Sequence, residues 1–210
     1  MKTATTSSGT YYLFNKKDQK TPIVFVHGVG LTHEIWHPQL NFFKEYTTLT
    51  YDILGHGKST LNKEIISFND FSNQIIELID ELKIDQIHLI GFSIGSLIAR
   101  NFATRFSERL KSLTLLGSIY KRSNEQQKIV NQRFEQAKSE LKLSRQALKR
   151  WFTDKYLKNN PDIYEKITSI LSSNNMTNFL KVYELFVKHK NDENFNKIKV
   201  LGKTKKEKQN

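Results

Sequence analysis

A short apolar run, Ile87-His88-Leu89-Ile90, leads directly into Gly91-Phe92-Ser93-Ile94-Gly95, and helical spacing of apolar residues begins at once behind it. This order constrains the fold more than any other feature of the chain. Glycines two residues to either side of a serine let a strand and a helix approach each other closely. So tight a turn forces Ser93 into a strained backbone conformation. It also lifts the Ser93 hydroxyl above the C-terminal edge of the sheet. The Ile94 amide, in the first turn of the helix, points toward the same place and is a candidate donor to a developing oxyanion. Ser93 is therefore the candidate nucleophile, with Gly91 and Gly95 as its supports.

The surrounding 120 residues supply the rest of such a sheet. Pro22-Ile23-Val24-Phe25-Val26 is a continuous apolar run of the kind buried on both faces, and it ends in His27-Gly28-Val29-Gly30. Tyr11–Phe14 reads as an edge strand, Leu49–Ile53 as a third strand closed by Gly55-His56-Gly57, and Leu113–Leu116 as the strand after the elbow helix. Helical spacing fills 33–44 and 68–82, with Ser67 and Asp70 as the start signal of the second. Strands alternating with helices predict an α/β fold, a mostly parallel sheet covered on both faces. After Tyr120 the period is helical only, through residue 190, with a break at Asn159-Asn160-Pro161, and four helices are expected there. Ile198-Lys199-Val200-Leu201 resembles the opening of one more strand. The division expected is a core over 1–120, a helical cap over 121–192, and the start of a strand with a basic tail over 193–210.

Composition removes several classes. The chain has 210 residues and no cysteine, which excludes a thiolate nucleophile and any zinc site built on Cys. No metal or organic cofactor is expected, because no ligand spacing or cofactor motif appears. No apolar run approaches the roughly 20 residues of a membrane span, and residues 1–7 lack the apolar stretch of a signal peptide, so a cytoplasmic protein is expected. The net charge of +12 is unevenly spread. Residues 1–120 carry 12 Lys/Arg against 11 Asp/Glu, residues 121–196 carry 15 against 9, and residues 197–210 carry six against one. The excess thus lies on the helical segment and on a tail with no aromatic residue. No nucleic-acid partner is expected, because a nucleic-acid groove interleaves basic and aromatic side chains. Glycine-rich alternatives fail on spacing. Gly28-Val29-Gly30 is followed by His33 where a dinucleotide fingerprint needs glycine. Gly57-Lys58-Ser59 would end a phosphate-binding loop whose first glycine falls on Asp52.

Taken together, His27-Gly28-Val29-Gly30, Tyr51-Asp52-Ile53-Leu54-Gly55-His56-Gly57-Lys58-Ser59 and Gly91-Phe92-Ser93-Ile94-Gly95 resemble the α/β-hydrolase superfamily. They are most similar to its cofactor-free esterases, enol-lactonases and C–C-bond hydrolases with a helical cap. The resemblance covers about residues 10–200. It implies Ser93 as nucleophile and an oxyanion hole from the Val29 and Ile94 amides. It also implies bracing of that hole by His27, Gly28 and Gly30, Trp36 at the pocket border, and a small-molecule substrate. The family's chain order, Ser then Asp or Glu then His, is not completed. No histidine follows His189, and Glu207 is the only acid after residue 193. The ending reads as a C-terminal truncation that leaves the last strand or strands missing, with a completing chain or an oligomer possible at the sheet edge. His33, His37 and His189 are the candidate surrogate bases. His56, in a turn, and His88, inside a strand, read as structural. Three functions remain open: a serine hydrolase of an ester, lactone or related carbonyl, a remnant that binds a small ligand without turnover, and a protein whose basic segment docks on an anionic surface.

Overall fold

Every strand expected between residues 11 and 116 forms, and two more join the sheet. The computed structural model describes residues 1–17, 21–140, 146–190, 197–198 and 202–205, with 146, 147, 150 and 202–205 as backbone alone. The strands are β1 (Lys2–Thr5), β2 (Tyr11–Asn15), β3 (Ile23–Val26), β4 (Thr48–Tyr51), β5 (Ile87–Phe92), β6 (Leu110–Leu116) and β7 (Gly202–Lys205). They lie in the order β1-β2-β4-β3-β5-β6-β7. β1, β2 and β4 pair antiparallel, and the pairs from β4 through β3, β5 and β6 to β7 are parallel.

Alternation along the strands divides the core into two layers. Val24, Val26 and Leu89 face α2 (Phe68–Glu81) and α3 (Ile94–Arg105), meeting Phe71, Ile75, Ile98 and Phe102. Ile23, Phe25, Ile90 and Phe92 face the other way, toward Trp36 and Leu40. In α2, Phe71, Ile75, Leu78 and Ile79 are all fully buried. At about 1.5–3 kcal/mol per such side chain, that one stripe contributes on the order of 6–12 kcal/mol of transfer free energy. The helix starts where its sequence signal lies, and the Ser67 amide donates to the Asp70 carboxylate at 2.8 Å.

The structure corrects four expectations. Tyr11–Phe14 is not the edge. β1 covers it, and Tyr12 is buried. β1 went unread because its pattern, largely exposed, carries no apolar signal. Residues 33–44 are not one helix. A 3-10 turn over His33–Trp36 gives way to α1 (His37–Phe42), with Pro38 in its first turn. Among the described residues, the segment after β6 holds five helices rather than four, namely α4 (Asn124–Glu140), α5 (Gln146–Trp151), α6 (Asp154–Asn159), α7 (Pro161–Ser172) and α8 (Met176–Lys188). Thr153 separates α5 from α6, and its hydroxyl caps α6 by accepting from the Tyr156 amide. The strand expected from Ile198 is the fourth case. Ile198 is not in a strand and packs partly buried against the core, residues 199–201 lie outside the described residues, and β7 begins at Gly202.

Of these helices, α7 and α8 pack on the sheet core, and α4 packs on α8. In α7, Ile167, Ile170 and Leu171 pack on Leu31, Ile35 and Phe92. Val182 of α8 joins the main core. No helix among the described residues is long and apolar enough to cross a membrane.

Candidate active site

Ser93 sits between β5 and α3 with φ +56° and ψ −121°, a positive φ that only one other non-glycine residue, Lys83, shares among the described residues. Such a conformation costs about 1–3 kcal/mol and persists only where the surroundings impose it. They do so here through the two flanking glycines. A Cβ on Gly91 would overlap the Gly95 carbonyl, and one on Gly95 would overlap the carbonyls of Val26 and His27. The elbow is therefore pressed against the end of β3. It is also tied to β6, since the Ser93 amide donates to Leu116 O at 2.9 Å.

The turn opposite Ser93 is built from Gly28-Val29-Gly30-Leu31. Gly28 lies against the elbow, and a Cβ there would come within 3.2 Å of Ser93 Cβ. The Leu31 amide donates back to Gly28 O at 3.2 Å, and Gly30 has φ +76°, the third-position geometry of a type II turn. Two buried histidines hold this turn from below. His27 Nδ1 donates to Gly28 O at 2.8 Å, and its Nε2 accepts from the Ile53 amide at 3.0 Å. His56 Nε2 accepts from the Gly30 amide at 2.8 Å while its Nδ1 donates to Leu54 O. Burial lowers the pKa of His27 to about 4 and that of His56 to about 3, so both rings are neutral near pH 7.

Gly28 O, Gly30 N, Gly30 O and Leu31 N are all engaged, while the Val29 N–H has no hydrogen-bond partner among the described residues. The Ile94 N–H, at the start of α3, has no intrahelical acceptor either. The two amides expected from the sequence as oxyanion donors are thus both left without a backbone acceptor among the described residues.

The third motif also acts on this turn. Asp52, fully buried at the end of β4, accepts from the His33 amide (2.8 Å), His33 Nδ1 (2.7 Å) and the Lys58 amide (2.9 Å). Burial alone would raise its pKa, but the hydrogen bond from His33 and the nearby imidazoles hold it below the usual carboxylate value. Gln74 completes the brace, donating to Asp52 O and accepting from the Leu54 amide.

The surrogate bases named from the sequence are not brought to Ser93. β4 and β5 flank β3, so the end of β4 that leads into Asp52 stands two strand spacings, roughly 10 Å, from the end of β5, and His33 is bonded to Asp52 there. His33 packs instead on Tyr11, with ring centroids 5.3 Å apart. His37 is exposed at the start of α1. His189 lies at the end of α8, edge-on to Phe68. His88 is spent on Ser112, 2.7 Å away across the β5–β6 pair. Among the described residues, no histidine ring is hydrogen-bonded to the Ser93 hydroxyl. Trp36 is a core aromatic, 4% exposed and 5.0 Å from the Phe25 ring.

Sequence reasoning missed Asn174, between α7 and α8. Its Nδ2 donates to Gly30 O at 2.9 Å and lies 3.0 and 3.2 Å from the carbonyls of Ile170 and Leu171. It missed Arg122 as well, whose guanidinium gathers the carbonyls of Phe186, Val187 and His189 at the end of α8. Neither carries a local signal, since their partners lie 144 and more than 60 residues away.

A family model described as alpha/beta hydrolase fold matches residues 21–141, and the chain belongs to that family. It is 31% identical to (E)-2-((N-methylformamido)methylene)succinate hydrolase of Acinetobacter baylyi over 79% of this chain and 62% of that protein. It is 25% identical to 3-oxoadipate enol-lactonase 2 of the same organism over 77% of this chain and 61% of that protein. The chain thus spans about three-fifths of the length of these relatives. Among solved structures, the enol-lactonase from Burkholderia xenovorans superposes with a TM-score of 0.84 at 22% identity, covering 93% of this chain and 76% of that one. A thermophilic esterase from Thermogutta terrifontis superposes with a TM-score of 0.76 at 18% identity, covering 96% and 78%. At these identities the structural likeness speaks for the fold alone.

Proposed function

We propose that the chain carries the nucleophile and oxyanion hole of a serine hydrolase acting on an ester, enol-lactone or related carbonyl of a small molecule. The observation that carries this reading is Ser93, held at φ +56° between the free amides of Val29 and Ile94. In this reading Ser93 Oγ attacks the substrate carbonyl carbon, and the carbonyl oxygen becomes an oxyanion that accepts from both amides. Expulsion of the alcohol or enol leaves an acyl-enzyme, which water then hydrolyses. Helices α4–α8 serve as the cap, and α7 supplies apolar surface beside Phe92. The named relatives, a hydrolase and an enol-lactonase, support the same reaction class.

A second reading is favoured by one observation. The Ser93 proton needs an acceptor, and among the described residues no histidine ring bonds to its hydroxyl. On this reading the chain alone binds a carbonyl ligand without turning it over.

A fluorophosphonate probe on the purified, folded protein separates the two. Labelling that disappears in Ser93→Ala supports the hydrolase, because phosphonylation requires an activated hydroxyl. Folded protein that resists the probe overturns it in favour of binding without turnover.

A further inference from the structure

We infer that Asn174 is a positioning residue for the oxyanion hole and makes the geometry of the Val29 amide depend on how α7 is seated. The inference rests on the hydrolase reading for its catalytic consequence and on hydrogen-bond geometry for everything else. Asn174 is the described side chain that reaches Gly30 O, a carbonyl of the turn that neither histidine holds. The Gly30 carbonyl and the Leu31 N–H belong to one planar peptide. Holding Gly30 O therefore orients the Leu31 N–H onto Gly28 O, the acceptor it meets at 3.2 Å. Gly28 O and the Val29 N–H share the next rigid plane, on opposite sides of it. The donor of Asn174 is thus passed through two peptide planes to the amide that faces Ser93.

The other end of the link is α7. The same Nδ2 lies within 3.0 and 3.2 Å of Ile170 O and Leu171 O, the carbonyls of the helix end that packs on Leu31 and Phe92. All three neighbours of Nδ2 are acceptors, which fixes the amide's orientation. Asn174 Oδ1 is in consequence buried with no hydrogen-bond donor among the described residues. A buried acceptor left unpaired is unfavourable, and an apolar side chain would avoid that cost. The residue that is present retains the donor.

The test compares Asn174→Asp, which keeps the shape and loses the donor, with Asn174→Ala, and with Asn175→Ala as control. Asn175 caps α8 by accepting from the Asn178 amide and makes no bond to the turn. In 15N-labelled protein, the Val29 order parameter falls from the rigid range near 0.85 toward 0.6 in both Asn174 variants. Losing an oxyanion donor outright costs about 10²–10³ in rate, and the loss of its support costs part of that, so fluorophosphonate labelling slows about tenfold. Asn175→Ala lowers the melting temperature and leaves both readouts at wild-type values. An unchanged Val29 order parameter in Asn174→Asp overturns the inference, as does a mobile Val29 with undiminished labelling. If the wild-type protein is not labelled at all, the hydrolase reading falls, and the order parameter alone decides the role of Asn174.

Discussion

Acidification from pH 8 to pH 5 should remove about 4 kcal/mol of folding stability, because the turn facing Ser93 rests on two imidazoles that must stay neutral. Each accepts a backbone N–H through Nε2 and donates through Nδ1, so neither has a site left for a proton. Burial sets their pKa values at about 4 for His27 and about 3 for His56. In the unfolded chain both titrate near 6.5. Folded values below unfolded ones mean that the unfolded state binds more protons between these limits, so stability falls as pH falls. At pH 5 each ring is almost wholly protonated when unfolded and neutral when folded, a difference of about 2 kcal/mol per histidine at 1.36 kcal/mol per unit. Below pH 6 the slope should approach 2.7 kcal/mol per pH unit, twice the single-proton value. Asp52 adds loss in the same direction only at lower pH, since its carboxylate remains ionised in both states above about pH 5. Urea unfolding followed by the fluorescence of buried Trp36 measures the curve. His56→Gln should be less stable at pH 8 and show about half the slope. An unfolding free energy that changes by less than about 1 kcal/mol between pH 8 and pH 5 would refute the assignment of these rings as buried, neutral braces.

Other substitutions test the rest of the construction. Gly95→Ala drives a methyl into two β3 carbonyls and should cost about 3 kcal/mol or more in urea unfolding, whereas Gly117→Ala, whose Cβ would sit 3.6 Å from Phe92, should cost only the ~1 kcal/mol of its positive φ. Ser93→Gly should abolish labelling and yet raise stability by about 1 kcal/mol, because glycine relieves the backbone strain at φ +56°. Arg122→Met keeps an apolar stem but loses the guanidinium that lies over Phe186 and donates to the carbonyls of Phe186, Val187 and His189 at the end of α8. At about 2 kcal/mol for the charged hydrogen bonds, amide exchange where α4 and α8 meet should quicken about 30-fold, with β3 and β5 unchanged.

What could be read from the sequence was whatever is written locally. The elbow is legible because its glycine–serine–glycine pattern lies within five residues and Gly91 meets Gly95 there, although Gly95 itself is pressed on the distant carbonyls of Val26 and His27. The α2 boundary is legible because Ser67 and Asp70 satisfy each other within one turn. The bracing by His27 is implied by the resemblance and the structural place of His56 by its turn, although the amides that donate to them, those of Ile53 and Gly30, lie 26 residues away. β1 is different, since an exposed strand has no burial to impose alternation. Asn174 sits in the polar run Ser172-Ser173-Asn174-Asn175, where nothing marks one asparagine as the partner of a carbonyl 144 residues upstream. His33 is named from the sequence as a candidate surrogate base. Its actual bond, to Asp52, depends on the 3-10 turn bringing ring and amide to one carboxylate oxygen.

The two halves of the candidate site differ in what they ask of the chain. An oxyanion hole needs backbone N–H groups in fixed directions, and the fold provides these once the peptide planes are held. Here the turn that carries Val29 is held by His27, His56 and Asn174. General-base catalysis needs one imidazole carried to the Ser93 hydroxyl with its second nitrogen oriented, and no amount of bracing elsewhere substitutes for it. Binding of an oxyanion and turnover are therefore separable properties of this chain. In subtilisin, loss of the triad still leaves a residual rate of about 10³–10⁴ over water from the hole and binding alone. If the Val29 and Ile94 amides are as well fixed as their partners imply, the same order of residual acceleration should be measurable with an activated ester on the folded chain, whether or not the probe finds Ser93 activated, and it should fall when Asn174 loses its donor.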